Sequence, residues 1–208
     1  IDGINDQTND SIIEKYCYDD LDSNCNIYGG IYQWDEMMQY VLNEGVQGIC
    51  PDGWIIPTDE DWTILTDYLG GASIAGGKMK EADTTHWLSP NTGATNSSGF
   101  SALPTGNRLQ DGSFYGLRMY NYLPSSTDAG YPDIWVRFLT YDYSDIFRSY
   151  YFDNQSSASV RCLKSCIPKP NQADAGPDML NKSGNSVTLM GNTPLYSQGL
   201  WTVAHGSG

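Results

Sequence analysis

Glycine interrupts this chain too often for long helices to be its main currency. Twenty-two of the 208 residues are glycine, and they stand among fifteen tyrosines, six tryptophans and many Asn, Ser and Thr. A glycine inside a helix or strand costs roughly 0.5–1 kcal/mol relative to alanine, whereas Tyr and Trp suit a pleated, half-buried surface. Short strands, many turns and aromatic-rich loops are the expectation.

Two segments carry helical spacing. In residues 30–42, Ile31, Trp34, Met37 or Met38, and Val41 recur at three- and four-residue steps, and Gly45 follows as a stop. The second helix is better punctuated. Thr58 is an N-cap, Asp61 stands three residues on, and Asp59 and Glu60 suit the positive end of the helix dipole. Trp62, Leu65 and Leu69 form its buried stripe, and Gly70-Gly71 ends it. From residue 72 to Gly99 the composition predicts a long loop region. Strand-like runs follow at 100–103, 131–143, 146–152 and 158–163, with turns at Asp111-Gly112 and Asp142-Tyr-Ser-Asp145.

The formal charge is −14, from 25 acidic and 11 basic residues. Nucleic acid is excluded as a partner, since phosphate binding needs a cationic face. No apolar run approaches the ~20 residues of a membrane span, so no membrane insertion is expected. Five cysteines without paired metal-ligand spacing point to an oxidising, extracellular compartment.

Catalytic chemistry finds no foothold. The two histidines, His86 and His205, are far apart, and no nucleophile elbow, phosphate-binding glycine loop or His-Glu-x-x-His helix occurs. The chain reads as non-enzymatic, with no required cofactor and His86 in a structural hydrogen bond. Asp20, Asp22 and Asn24 offer oxygen ligands at alternate positions, as at the start of a Ca2+ loop. Cys25 stands where the loop glycine belongs, however, and no glutamate closes the loop. Residues 114–152 hold eight of the fifteen tyrosines. Trp135, Tyr141, Tyr143, Asp145, Arg148, Tyr150 and Tyr151 are the candidate ligand-binding residues there, because Tyr gives rigid contact area together with hydrogen bonding. On one continuous strand, Tyr141, Tyr143 and Asp145 would share a face.

Five blocks in order carry a family resemblance. They are Tyr16-Cys-Tyr-Asp-Asp through Trp34; Gly48-Ile-Cys-Pro-Asp-Gly-Trp through Trp62; Ala75-Gly-Gly-Lys-Met-Lys-Glu81; Thr84-Thr-His-Trp through Pro104; and Ser159-Val-Arg-Cys-Leu163. Together they resemble the FISUMP domain, a paralogous bacterial module first described in Fibrobacter. The resemblance implies an α+β, C-type-lectin-like domain over residues 1–165, with two helices packed on short, mostly antiparallel strands and a long loop region. It also implies a secreted or cell-surface setting, and an additional N-terminal strand preceding this segment. Lectin-like folds commonly staple their last strand to the body, which implies Cys50–Cys162; Cys17 and Cys25 bracket a short acidic loop and pair with each other. Cys166 is left over, either free or paired outside the segment.

Residues 56–62 are also similar to a segment of formylglycine-generating enzymes, whose copper-binding cysteine pair has no counterpart here, so that likeness speaks to fold alone. The family's usual Tyr-Trp-Trp-Ser-Ser-Thr is replaced by Tyr122-Leu-Pro-Ser-Ser-Thr127. Some lectin-like proteins are diversified by retroelements at Asn, Tyr, Ser and Asp positions in this part of the fold. Residues 166–172, with two prolines, read as a stiff linker, and residues 173–208 resemble the opening strands of a truncated PKD/Ig-like sandwich of the type found in Bacteroidota surface proteins. The expected function is adhesion or binding of a glycan or surface protein. The alternatives are a structural subunit that self-associates into a fibre or surface layer, and an accessory module of a secreted hydrolase.

Overall fold

The computed structural model describes residues 1–165; the expected linker, the expected Ig-like segment and Cys166 lie outside the described residues. In chain order the elements are a 3-10 turn (Tyr18–Asp20), α1 (Asp22–Tyr28), β1 (Ile31–Gln33), α2 (Trp34–Met37), β2 (Trp54–Ile55), α3 (Asp59–Tyr68), α4 (Ala72–Met79), β3 (Asn107–Arg108), β4 (Phe114–Tyr115), β5 (Tyr120–Gly130), β6 (Asp133–Thr140), β7 (Ile146–Asp153), β8 (Ser157–Ser159) and β9 (Leu163–Lys164). The architecture is mixed α+β. Its strands pair antiparallel in three small sheets ordered β1-β8-β3-β4, β2-β9 and β5-β6-β7.

The best-punctuated helix forms where its signals place it. The Thr58 hydroxyl accepts from the Asp61 amide at 3.1 Å, and the Asp61 carboxylate accepts from the Thr58 amide at 2.9 Å. This reciprocal box satisfies two amides that the first turn of α3 would otherwise leave open. Trp62 and Leu69 are buried and Leu65 packs against them. Gly70 and Gly71, at φ +101° and +95°, turn the chain out of the helix.

The other expected helix shrinks to one turn. Residues 31–33 leave helical geometry to pair with β8, and Gln39 and Tyr40, at φ +52° and +58°, end α2. Trp34, Met37 and Met38 are buried nevertheless, while Val41 is exposed. A strand followed by a turn thus buries the same apolar residues as the periodic helix would. Further differences follow from tertiary pairing. The stretch expected as loop begins with α4, the 100–103 run makes only a bridge from Ala102 to Lys80, and the last run divides into β8 and β9. The longest strand, β5, lies outside the expected runs.

The β5-β6-β7 sheet separates two apolar clusters. Because side chains alternate along a strand, Ile134, Val136 and Phe152 join Trp34, Met37, Met38 and Ile56 on one side. Leu123, Leu139 and Ile146 join Trp62, Met79 and Trp87 on the other. Two disulfides, Cys17–Cys25 and Cys50–Cys162, close the structure in the pairing implied by the family resemblance. The second joins the end of the domain to the loop before β2, across 112 positions of sequence.

The Gly76-Gly77 pair and Lys80 fix α4. A Cβ on Gly76 would lie 2.1 Å from the Asp145 carbonyl oxygen, and one on Gly77 would lie 2.3 Å from that of Gly93. Only glycine permits these backbone approaches. Lys80, fully buried, donates from Nζ to the carbonyls of Thr92, Thr140 and Tyr143 at 2.9, 2.9 and 2.7 Å. Trp87 lies beside the ammonium at 5.4 Å.

Replacing Lys80 by Met leaves those carbonyls buried without a donor. The expected loss is about 3 kcal/mol in chemical denaturation; a loss below about 1 kcal/mol would show that water replaces the ammonium. Removing Cys50–Cys162 by the paired Ser variant is expected to cost about 3–5 kcal/mol in the same measurement, the range for a loop of this length.

Candidate ligand-binding surface

The central sheet presents two distinct aromatic surfaces. On the side that carries α3, β6 supplies Trp135 and β7 supplies Arg148 and Tyr150. The Arg148 guanidinium sits 3.4 Å from the centre of the Trp135 ring, and Tyr150 meets that ring edge-on at 5.3 Å. Asp59, the first residue of α3, holds the cation in place: its carboxylate accepts from Arg148 Nη2 at 2.8 Å and from Nε at 3.1 Å. The same carboxylate binds the buried Arg137, which also donates to the Thr63 hydroxyl at 2.9 Å. Burial alone would raise the Asp59 pKa. Hydrogen bonds and charge from Arg148 and Arg137 outweigh that effect and hold the carboxyl below its ordinary value.

On the opposite side, register stacks rings across the strands. Tyr122 faces Phe138, and Phe138 faces Phe147, as directly opposed pairs. Their ring centres are 5.8 and 4.9 Å apart. Tyr120 continues the row 5.9 Å from Tyr122, and Tyr115 of β4 stacks on Tyr120 at 5.8 Å. At the far end Tyr143 meets Phe147 edge-on at 5.7 Å. The terminal rings are open to solvent, Tyr115 at 48% and Tyr143 at 54% exposure, while the four between them are half-buried. Six rings in a row give a rigid apolar strip, with the Tyr115 and Tyr143 side chains at its solvent-exposed ends.

The seven candidate residues therefore divide. Trp135, Arg148 and Tyr150 form one cluster and Tyr143 belongs to the other surface. Tyr141, Tyr143 and Asp145 do not share a strand face: β6 ends at Thr140 and all three lie in the turn before β7. Lys80 and α4 hold that turn from beneath, and strand alternation stops there. Tyr141 packs against the apolar cluster that includes Trp62, Met79 and Trp87, and the Asp145 carbonyl is the close neighbour of Gly76. The Tyr151 side chain lies outside the described part of the structure. Sequence reasoning missed Phe138 and Phe147, and it counted Tyr115, Tyr120 and Tyr122 without assigning them a role. The only signal for the row was the Tyr-x-Tyr alternation at 120–122, and the row becomes legible only once the cross-strand register is known.

The candidate Ca2+ residues do not assemble as a loop. Asp22 starts α1 and Asn24 lies inside it; Asn24 Nδ2 donates to the Tyr18 carbonyl at 2.8 Å, and Asp20 accepts from the Gly3 amide at 2.7 Å. Helical geometry separates oxygens that a loop would converge. Among the described residues no cluster of three or more His, Cys, Asp or Glu side chains could hold a metal ion. His86 Nδ1 pairs with the Glu81 carboxylate at 2.9 Å, with Tyr28 edge-on to its ring.

Residues 1–164 match the sequence profile described as the Fibrobacter succinogenes major domain. The chain belongs to this family. No curated protein and no solved structure matches it. The Ala75-Gly-Gly-Lys-Met-Lys80 block of this Fibrobacter succinogenes major domain has a physical meaning in the structure: two glycines for backbone contact and a lysine that clamps three carbonyls. Among the described residues, no helix is long and apolar enough to cross a membrane.

Asp59→Asn is expected to lower stability by about 2–4 kcal/mol at neutral pH, because it leaves the buried Arg137 short of its counter-charge. The sign with pH follows from the depressed pKa of Asp59. Its contribution is complete above the ordinary carboxylate pKa of ~4 and is lost as pH falls through the lower folded value. Denaturation curves of the two proteins should therefore converge toward acid pH; a constant offset would assign the loss to shape rather than charge.

Proposed function

We propose that this domain is an extracellular, non-enzymatic binding module that recognises a glycan along the aromatic row Tyr115–Tyr120–Tyr122–Phe138–Phe147–Tyr143. The observation that carries this reading is the continuity of the row, with adjacent ring centres 4.9–5.9 Å apart and both ends open to solvent. Sugar rings offer flat C–H faces that stack on aromatic planes and hydroxyls that bond to their rims, and linear arrays of rings suit linear arrays of sugars. Pre-organisation supports affinity here, because strand pairing has already ordered the interior rings. The two disulfides support a secreted or cell-surface location. In this reading the α+β body is a C-type-lectin-like variant without Ca2+-dependent sugar recognition.

The double variant Tyr115→Ala, Tyr143→Ala removes the two exposed ends without touching the core. On an immobilised polysaccharide panel it is expected to lose about tenfold or more in affinity, with an unchanged thermal transition. Tyr150→Ala, on the other surface, should bind as the parent does. Equal binding by all three proteins would overturn the placement, and retention of protein ligands alone would replace the glycan by a protein surface.

A further inference from the structure

A cavity of different chemistry borders the same strand β5 but shares no residue with the aromatic row. It holds about 350 Å³ and is lined by Tyr28, Tyr32, Thr105, Asn121, Ser159 and Arg161, among others. That volume suits a single sugar ring or small organic acid. Its polar residues are set deep: Asn121 is 2%, Thr105 3% and Ser159 8% exposed. Asn121 Nδ2 donates to the Leu103 carbonyl at 2.8 Å, and the Ser159 hydroxyl donates to the Tyr122 carbonyl at 3.2 Å. These bonds fix the two side chains. Asn121 Oδ1 is buried and has no hydrogen-bond partner. A buried acceptor in that state is exceptional in a folded protein and is ordinarily met by a donor.

The charge of the cavity is exceptional too. No Asp or Glu lines it, and Arg161 is its one ionised side chain. Other cavities of the same protein carry carboxylates: Glu14, Asp20 and Asp22 with Lys15 in one, Asp35 and Asp128 in another, Asp6, Asp35 and Glu36 in a third, and Asp61 in a fourth that Arg161 also borders. Arg161 is exposed, lies over the Phe100 ring at 5.0 Å and donates to the Ser101 carbonyl at 3.1 Å. It has no acidic partner among the described residues. In a chain of net charge −14, a cavity lined by a cation and no carboxylate has the charge that suits an acid.

We propose that this cavity binds a hydroxylated carboxylic acid of sugar size, a uronate. The carboxylate pairs with the Arg161 guanidinium, whose planar fork suits it. A ligand hydroxyl donates to Asn121 Oδ1, and the Tyr28 and Tyr32 rings form the walls. The cavity shares no residue with the six-ring row, so the site stands whether or not the row binds a glycan.

The test is amide chemical-shift titration with D-glucuronate, with D-glucose as the neutral control. Glucuronate is expected to shift the amides of Tyr32, Asn121 and Ser159. Arg161→Gln, at an exposed position, should weaken glucuronate by about tenfold or more and leave the weaker glucose response unchanged. Equal affinity for glucose and glucuronate, or no shift at those amides, overturns the proposal. The Tyr115→Ala, Tyr143→Ala variant should keep full glucuronate affinity; loss there would place the acid on the aromatic row and equally overturn the cavity assignment.

Discussion

Much of this domain hangs on one buried ammonium. Lys80 Nζ reaches the carbonyls of Thr92, Thr140 and Tyr143, which belong to the long loop, the end of β6 and the β6–β7 turn. An ammonium has three protons to donate, and here each meets one carbonyl. The glycines before it let α4 sit directly on the turn and on the loop, and Trp87, donating to the Ala102 carbonyl at 2.9 Å, closes the apolar side. The turn so held is the one that carries Tyr143 and fixes the register of β6 with β7, on which the aromatic row depends. Another buried cation works alike. Arg108, 2% exposed, donates to the Gly3 carbonyl at 3.0 Å and lies 4.5 Å from the Tyr16 ring centre, tying the polar N-terminal segment to the body.

What was legible in the sequence was what local chemistry decides. The Thr58–Asp61 box, the stripe of Trp62 and Leu69, and the Gly70-Gly71 stop all act within a few residues, so α3 could be read directly. The disulfide pairing came through family resemblance, since nothing local connects Cys50 to a residue 112 positions away. Residues 30–42 misled because their apolar spacing fits a helix and also fits a strand followed by a turn; pairing with β8, encoded more than a hundred residues later, decides between them. β5 was hidden by Pro124, which lacks the amide a central strand needs. It is tolerated because β5 pairs with β6 alone in its three-stranded sheet.

The two aromatic surfaces show why counting tyrosines located a region but not a site. On one side, Arg148 covers Trp135 and is itself neutralised by Asp59, so ring and charge are largely occupied with each other. On the other, ring stacks on ring, Tyr122 backs onto the apolar core, and the outermost rings face solvent. Alternation across a pleated sheet sends neighbours in sequence to these opposite fates. Register, not composition, separates an aromatic surface covered by an ion pair from one whose end rings are open to solvent.

The Cys50–Cys162 bond also sets a route for mechanical load. It joins the residue before β9 to the loop before β2, and those strands pair with each other as well. Tension applied along the backbone from outside this pair passes through the sulfur bridge and skips the whole stretch between. That stretch contains α3, α4 and the β5-β6-β7 sheet. All six rings of the aromatic row lie within it, so tension carried along the chain leaves their register untouched.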